Sequence, residues 1–256
     1  MSTSINTNVA SMNAQRWLAT NTTSMQTAMA RLSSGLRVNS AKDDAAGLAI
    51  AAKLEAQARG MNVAIRNAND AISMASTADG ALSTISSNLQ RMRELAVQGA
   101  NAGANTTALT AEWDLLAAEN TRIIGNTTFN GVNLMGAMSS TFQVGANASD
   151  TITVSTTAAT QTSATGTLSI ATAQADIDAI NGVRATWGAT QNRMEAVITN
   201  LRIGAENFDA ARGRIMDADY ATETANLSRA QVLQQAGTAM VAQANQGPQS
   251  VLALLR

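Results

Sequence analysis

The sequence predicts a mainly α-helical protein, an elongated rod of long antiparallel coiled-coil helices with a small β-hairpin region at the middle of the chain. Three observations carry this expectation. An apolar 3-4 spacing runs without a break from Leu54 to Ala96, a similar spacing returns between Ile177 and Ile215, and between them the apolar period falls to two.

The first long stripe comprises Leu54, Ala58, Met61, Ile65, Ala68, Ile72, Ala75, Ala78, Leu82, Ile85, Leu89, Met92 and Ala96, with one extra three-residue step as its only irregularity. A helix from about residue 43 to Gly99 at 1.5 Å per residue is roughly 85 Å long, more than a compact domain of this size uses. Leu109, Trp113, Leu116 and Ile123 mark a shorter helix. Ile177, Ile180, Trp187, Met194, Ile198, Leu201, Ala205, Phe208 and Ile215 mark the second long one. Leu18, Met25, Met29, Leu32 and Leu36 line an N-terminal helix; Leu233, Gly237, Met240, Ala244, Gly247, Val251 and Leu254 line a C-terminal one.

Between the halves, Thr127 to Val132 places Asn130-Gly131 between apolar positions, a strong signal for a tight hairpin. Phe142, Val144, Ile152 and Val154 alternate around residues 145–150 and suggest a second hairpin. From Ser155 to Thr167 the chain is Ser, Thr, Ala, Gln and Gly, which reads as an exposed linker or tip. Folding back at the β region brings the two ends together. The expected division is 1–42 with 218–256 as paired terminal helices, 43–138 with 173–217 as long helices plus hairpin, and 139–172 as a short tip.

The terminal helices carry only narrow stripes and many Ser, Thr, Asn and Gln residues. Isolated helices are marginal in water, so both ends are expected to fray in the monomer and to order when neighbouring copies supply surface. Leu18, Met25, Met29, Leu32, Leu36, Leu233, Met240, Val251 and Leu254 are the candidate self-assembly residues, and the expected partner is a homo-oligomer.

Composition narrows the function. Charged residues are 14%, against roughly 25% in an average soluble protein. The net charge is −1 and 45% of residues are hydrophobic, so surface used for contact explains this better than disorder. With 17 Lys and Arg against 18 Asp and Glu, no basic field exists to attract nucleic acid. Cysteine and histidine are absent, which removes thiolate and imidazole metal ligands and the commonest nucleophile–base sets. The expectation is a non-enzyme with no cofactor and no metal. Residues 230–255 are uncharged, but amides at Gln231, Gln234, Gln235, Gln243, Asn245, Gln246 and Gln249 argue against membrane insertion. Residues 1–15 lack a charged leader followed by an apolar run, so an extracellular location requires a route other than a Sec-type signal.

Several runs carry a family resemblance. Arg31-Leu-Ser-Ser-Gly-Leu-Arg-Val-Asn-Ser-Ala-Lys-Asp-Asp-Ala-Ala-Gly47, Arg66-Asn-Ala-Asn-Asp70 and Leu89-Gln-Arg-Met-Arg-Glu-Leu-Ala-Val-Gln98 resemble the N-terminal region of bacterial flagellins. Ala189-Thr-Gln-Asn-Arg193, Ala218-Asp-Tyr-Ala-Thr-Glu223, Leu227-Ser-Arg-Ala-Gln-Val-Leu-Gln-Gln-Ala-Gly237 and the end at Leu254-Leu-Arg256 resemble their C-terminal region. With only a short middle segment, the chain is similar to a near-minimal flagellin. The resemblance implies a filament subunit used for swimming, exported unfolded by flagellar type III export with its chaperone, assembled beneath a filament cap and adjoining hook-associated proteins, in the extracellular flagellum.

It also implies roles for particular residues. Arg31, Gly35, Arg37, Lys42, Asp43 and Asp44 fall at the junction between inner and outer regions, where intersubunit ion pairing is expected. Gln231, Gln235, Thr238, Asn245 and Gln249, with Ala242, form an uncharged face displaced from the apolar stripe, implied to line the filament's central channel. Gln90, Arg91, Leu95 and Gln98 match the stretch by which a vertebrate Toll-like receptor recognises some flagellins. The rival readings are the hook–filament junction protein of the same superfamily and a secreted adhesin-like module.

Overall fold

The structure is a computed structural model that describes residues 7–163 and 165–254, with side chains described as far as Gln246. The elements are α1 (Val9–Ser34), α2 (Ala45–Gly99), α3 (Thr106–Asn126), β1 (Thr128–Phe129), β2 (Val132–Asn133), β3 (Met138–Gln143), β4 (Thr151–Thr156), α4 (Ile170–Met216) and α5 (Tyr220–Leu254). The chain is mainly α-helical, with two separate two-stranded antiparallel sheets between α3 and α4.

Two compact units emerge: Met1–Glu55 with Asp209–Arg256, and Ala56–Phe208. The divide falls inside α2 and α4, not near residues 42 and 217. The reason is packing: Val38, Ala51 and Met216 form a small buried cluster with Leu36, Leu48 and Ile215. The first turns of α2 and the last of α4 thereby belong with the terminal helices.

In the first unit α1 and α5 pair antiparallel. Asn8 donates to the Ala244 carbonyl at 2.8 Å, Asn21 to that of Ala230 at 2.7 Å, and the Tyr220 hydroxyl to that of Leu32 at 3.1 Å. The N-terminus of α1 is capped by the Asn8 side chain, which accepts from the Ser11 N–H. It ends at Ser34 because Gly35 adopts φ 72°, a left-handed C-cap open to glycine. Leu36 therefore lies outside α1 and joins the small cluster, not the α1 stripe expected from spacing.

The second unit holds the large core. Along α2 the predicted seam is buried at Ala58, Ala68, Ala75, Ala78, Leu82, Ile85, Leu89, Met92 and Ala96. Ala64, Ala71, Met74 and Leu95 are buried too, because this helix is covered from more than one side and needs a wider stripe than a two-helix seam. Trp113 from α3 and Trp187 from α4 are fully enclosed. Arg184 pairs with Asp79 at 2.9 Å across α4 and α2, and Asn88 donates to the buried Asn120 of α3 at 2.8 Å.

The β1–β2 hairpin turns on Asn130 (φ 51°) and Gly131 (φ 80°), both left-handed as a two-residue type I′ turn requires. In the second hairpin Phe142 faces Ile152 and Ser140 faces Val154, and β4 alternates exposed and buried with Ile152, Val154 and Thr156 inward. Its loop lies against α2 at Gly60, where an added Cβ would meet the Ala146 Cβ at 2.8 Å.

The segment expected to be an exposed linker is exposed at many positions but anchored at Thr156, Ala159 and Ser163, which are buried. Ser155 and Thr156 complete β4, Ala159 is buried in the core, and its N–H bonds the Met135 carbonyl at 2.7 Å. Buried Asp176 accepts from the Thr162 N–H at 2.8 Å, the Thr162 hydroxyl at 2.6 Å, the Ser163 N–H at 2.9 Å and the Ser163 hydroxyl. Further on, Gly166 donates to Asp114 at 2.7 Å. Residues 139–172 thus fall within the second unit, to whose core Ile152, Val154 and Ala159 contribute.

Candidate functional site

The paired terminal helices have a thin seam. Among the described residues the buried positions of this pair are Ser11 and Ala28 on α1 and Glu223 and Ala230 on α5. The α5 row facing α1 runs through Glu223, Leu227, Ala230, Gln234, Gly237, Val241 and Ala244, a 3-4 spacing in which the small residues Ala230, Gly237 and Ala244 alternate with larger ones. Gly237 permits close approach, since an added Cβ would lie 3.2 Å from Leu18 Cδ1. On α1, Leu18, Met25 and Leu32 are half-buried in this seam, as their spacing predicts.

Leu233 and Met240 sit one position off that row. They are 51% and 63% exposed, and Trp17 beside them is 74% exposed. Together with Leu18, Ala236 and Gly237 they line an apolar groove of about 630 Å³ along the pair. Met12, Met29, Val9, Tyr220 and Val232 are also exposed on these two helices. The groove gathers Trp17, Leu233 and Met240 on one side of the pair, whereas single apolar side chains scattered over a surface need no explanation. Val251 and Leu254 lie outside the described side chains.

The polar side of α1 is prepared for burial as well. Hydroxyls of Thr20, Thr22, Thr23, Ser24 and Thr27 donate to the carbonyls four residues earlier at 2.9 to 3.1 Å. Their protons are satisfied by their own helix, so another surface can cover them without leaving a donor unpaired.

The junction residues are occupied within the chain. Leu36 and Asp217 form an antiparallel bridge, with Arg37 N–H on the Met216 carbonyl at 2.6 Å and Ala218 N–H on that of Gly35 at 2.9 Å. The Arg37 guanidinium donates to the carbonyls of Arg214 at 3.2 Å and Ile215 at 2.7 Å, closing the C-terminus of α4 where a cation also suits the helix dipole. Arg31 pairs with the buried Glu223 at 3.0 Å. Asp44 caps α2 through the Gly47 N–H at 2.8 Å. Asp43 accepts from the Ser40 hydroxyl and from the N–H groups of Ser40 and Asn39, and these bonds, the hydroxyl foremost, hold its carboxyl below the usual range. Asp219 caps α5 through Thr222 and Ala221 and is lowered for the same reason. Lys42 is exposed. Ion pairing between subunits at Arg37, Asp43 and Asp44 would have to compete with these bonds within the chain.

Of the uncharged face of α5, Gln231, Gln235, Thr238 and Ala242 are exposed together. Asn245 departs from them: its Oδ1 accepts from the Ser11 hydroxyl at 2.7 Å and so engages α1. Gln249 lies outside the described side chains. In the second unit Gln90 and Gln98 are exposed beside Arg93, Glu94 and Val97 in a shallow groove. Arg91 pairs with Glu112 at 2.8 Å and Glu94 at 3.0 Å, and Glu112 first holds its guanidinium still more firmly protonated. Leu95 is fully buried in the core and offers no surface to a receptor.

Spacing missed Trp17, Glu223, Asp176 and Asp219. Trp17 carried a usable signal, being a large apolar residue one step from the seam residue Leu18. Among the described residues no helix is long and apolar enough to cross a membrane.

Comparison with known proteins places these features in one family. The bacterial flagellin N-terminal helical region matches residues 5–140 and the bacterial flagellin C-terminal helical region matches residues 170–255. A flagellin of Halalkalibacterium halodurans is 44% identical, covering 98% of this chain and 99% of that protein. The flagellar filament 33 kDa core protein of Treponema phagedenis is 39% identical and a flagellin of Bacillus subtilis 38%, each with 98% of this chain and 99% of the relative covered. The crystal structure of Bacillus cereus flagellin is 32% identical, covers 53% of this chain and 88% of that one, and has a TM-score of 0.47. Helical regions matched at both ends, in order and over nearly the whole length of these relatives, make this chain a member of the bacterial flagellin family.

Proposed function

We propose that the chain is the structural subunit of a bacterial flagellar filament, a non-enzymatic protein that polymerises through its terminal helices into a helical tube turned for swimming. The observation that carries this reading is the α1–α5 pair: a thin seam holds it together, while Trp17, Leu233 and Met240 stand exposed along one groove. A pair with so little buried apolar surface is weakly held on its own, and docking against further copies supplies what it lacks. The free subunit accordingly frays at both ends and orders on joining the polymer.

Family membership supports the remaining roles in this reading. The subunit leaves the cell unfolded through flagellar type III export, escorted by an export chaperone. It joins the extracellular filament beneath the cap, and hook-associated proteins adjoin that filament. Gln231, Gln235 and Thr238 face the central channel, where amides and hydroxyls give a passing chain neither fixed charge nor an apolar wall. Gln90, Arg91 and Gln98 are the surface offered to a Toll-like receptor, with Leu95 supporting them from the core. Seeded polymerisation of the purified subunit tests the principal reading by negative-stain microscopy. Long tubes are expected; growth that stops after one or two rings would point to a junction protein instead, and no growth would remove the reading.

A further inference from the structure

We propose that Met12, Met29 and Met240 are separate peroxide-sensitive modification sites on the α1–α5 pair, and that their two-electron oxidation stops the subunit from assembling. The inference rests on the filament reading above and adds to it a chemical control.

The observation is how the chain distributes its methionines, of which it has 12. In the second unit Met74, Met92, Met135 and Met194 are enclosed in the core. In the first unit Met12 is 55%, Met29 43% and Met240 63% exposed, all on the α1–α5 pair that the filament reading assigns to contact between subunits. Met240 lines the groove with Trp17 and Leu233. The chain has no cysteine, so no thiol intercepts the oxidant and exposed thioethers are its ready targets.

The chemistry balances with a peroxide as the named co-reactant, either hydrogen peroxide or an organic hydroperoxide. A sulfur lone pair attacks one peroxide oxygen, the O–O bond breaks as the S–O bond forms, and the other oxygen departs with a proton as water or an alcohol. Methionine is oxidised by two electrons to the sulfoxide and the peroxide is reduced by two. A flexible apolar side chain thereby becomes a polar one. Of the groove's lining, Leu233, Ala236 and Gly237 carry no side-chain donor, Thr20 and Ser24 give their hydroxyl protons to carbonyls of their own helix, Asn21 donates to the Ala230 carbonyl, and Trp17 offers a single indole N–H, so the new oxygen meets few open donors and covering it is costly. Once the surface is covered in the polymer, the same sulfurs are shielded, so free subunits are sensitive and finished filaments resistant.

The test uses the full chain and hydrogen peroxide. Free subunits and preformed filaments are treated in parallel, sulfoxides are mapped by peptide mass spectrometry, and treated subunits are offered to fresh seeds. In free subunits oxidation at Met12, Met29 and Met240 is expected to outrun that at Met74, Met92, Met135 and Met194 by about tenfold or more. Treated subunits are expected to need about tenfold or more higher concentration to elongate seeds, the loss that follows when a buried methionine turns polar. Methionine sulfoxide reductases A and B with dithiothreitol should restore elongation without any mutation. In a chain carrying Met12→Leu, Met29→Leu and Met240→Leu, elongation after peroxide should equal that of the same variant untreated, whatever its untreated rate. Equal elongation by oxidised subunits, or equal peroxide sensitivity in the leucine variant, overturns the inference, as does oxidation of the three sulfurs in filaments as fast as in free subunits. Failure of untreated subunits to elongate would instead remove the filament reading itself and this control with it.

Discussion

Replacing Asp176 by alanine should release the strap that closes the second unit. Its carboxylate accepts four hydrogen bonds, two from Thr162 on the exposed side and two from the buried Ser163. A hydrogen bond to a charged group contributes about 1.5–3 kcal/mol, and a buried donor left without its acceptor costs a comparable amount. Counting only the two Ser163 bonds, and taking the lower half of that range because removing the carboxylate also relieves its own burial, gives about 3–4 kcal/mol. At about 2–4 °C per kcal/mol for a domain of this size, the melting midpoint of the unit should fall by about 6–16 °C. Urea unfolding followed by the emission of the enclosed Trp113 and Trp187 reads the loss directly. Asp176→Asn, which keeps the shape and an acceptor but not the charge, should fall between the two. Amide exchange should rise at residues 159–163 in the alanine variant while α1 and α5 keep their native rates. A change of less than about 0.5 kcal/mol, within the usual range for surface substitutions, would show that the strap is held by something else.

Gly131→Ala places a side chain at φ 80° in the β1–β2 turn and should cost about 1–2 kcal/mol in urea unfolding, whereas Asn130→Gly should be close to neutral. Asp43 and Asp219 have lowered carboxyl pKa values, chiefly from the hydroxyls of Ser40 and Thr222. A folded value below the unfolded one, about 3.9, means that their contribution is complete above that pH and is lost as pH falls through the folded value. Amide protection at Ser40 and Thr222 should therefore persist at pH 5 and decline below about pH 4; loss on raising the pH would contradict the assignment. Gly60→Val should push the loop at Ala146 off α2, because a Cβ at this site already lies 3.1 Å from the Ala146 backbone, and amide exchange should quicken at Val144 and Asp150 with the α1–α5 pair unaffected.

Much of the fold could be read from the chain because its determinants are local and periodic. The α2 stripe, the enclosed Trp113 and Trp187, and the Asn130-Gly131 turn all follow from spacing or from backbone freedom at named residues. The segment after β4 could not, since its composition is that of a linker and its anchor is one carboxylate 13 or 14 residues downstream. Charge at Arg37, Asp43 and Asp44 was equally ambiguous: sequence shows that the groups are charged, but not that their partners are backbone groups of the same chain. The burial of Leu95 is not legible from a stripe one row wide, because a helix covered from more than one side buries the adjoining row too. On the terminal pair the stripes were placed correctly to within one position. That single step separates the seam positions Gln234 and Val241 from Leu233 and Met240, which face the groove.

The proposal that polymerisation covers the exposed groove of α1 and α5 is most directly tested by iodide quenching of tryptophan emission, before and after seeded assembly of the unaltered chain. Trp113 and Trp187 are enclosed already, so the quencher reaches Trp17 in the free subunit. In filaments the quenchable fraction should nearly vanish and the emission should shift to the blue. Equal quenching in subunits and filaments would mean that Trp17 stays in water and that the polymer is held together by some other surface.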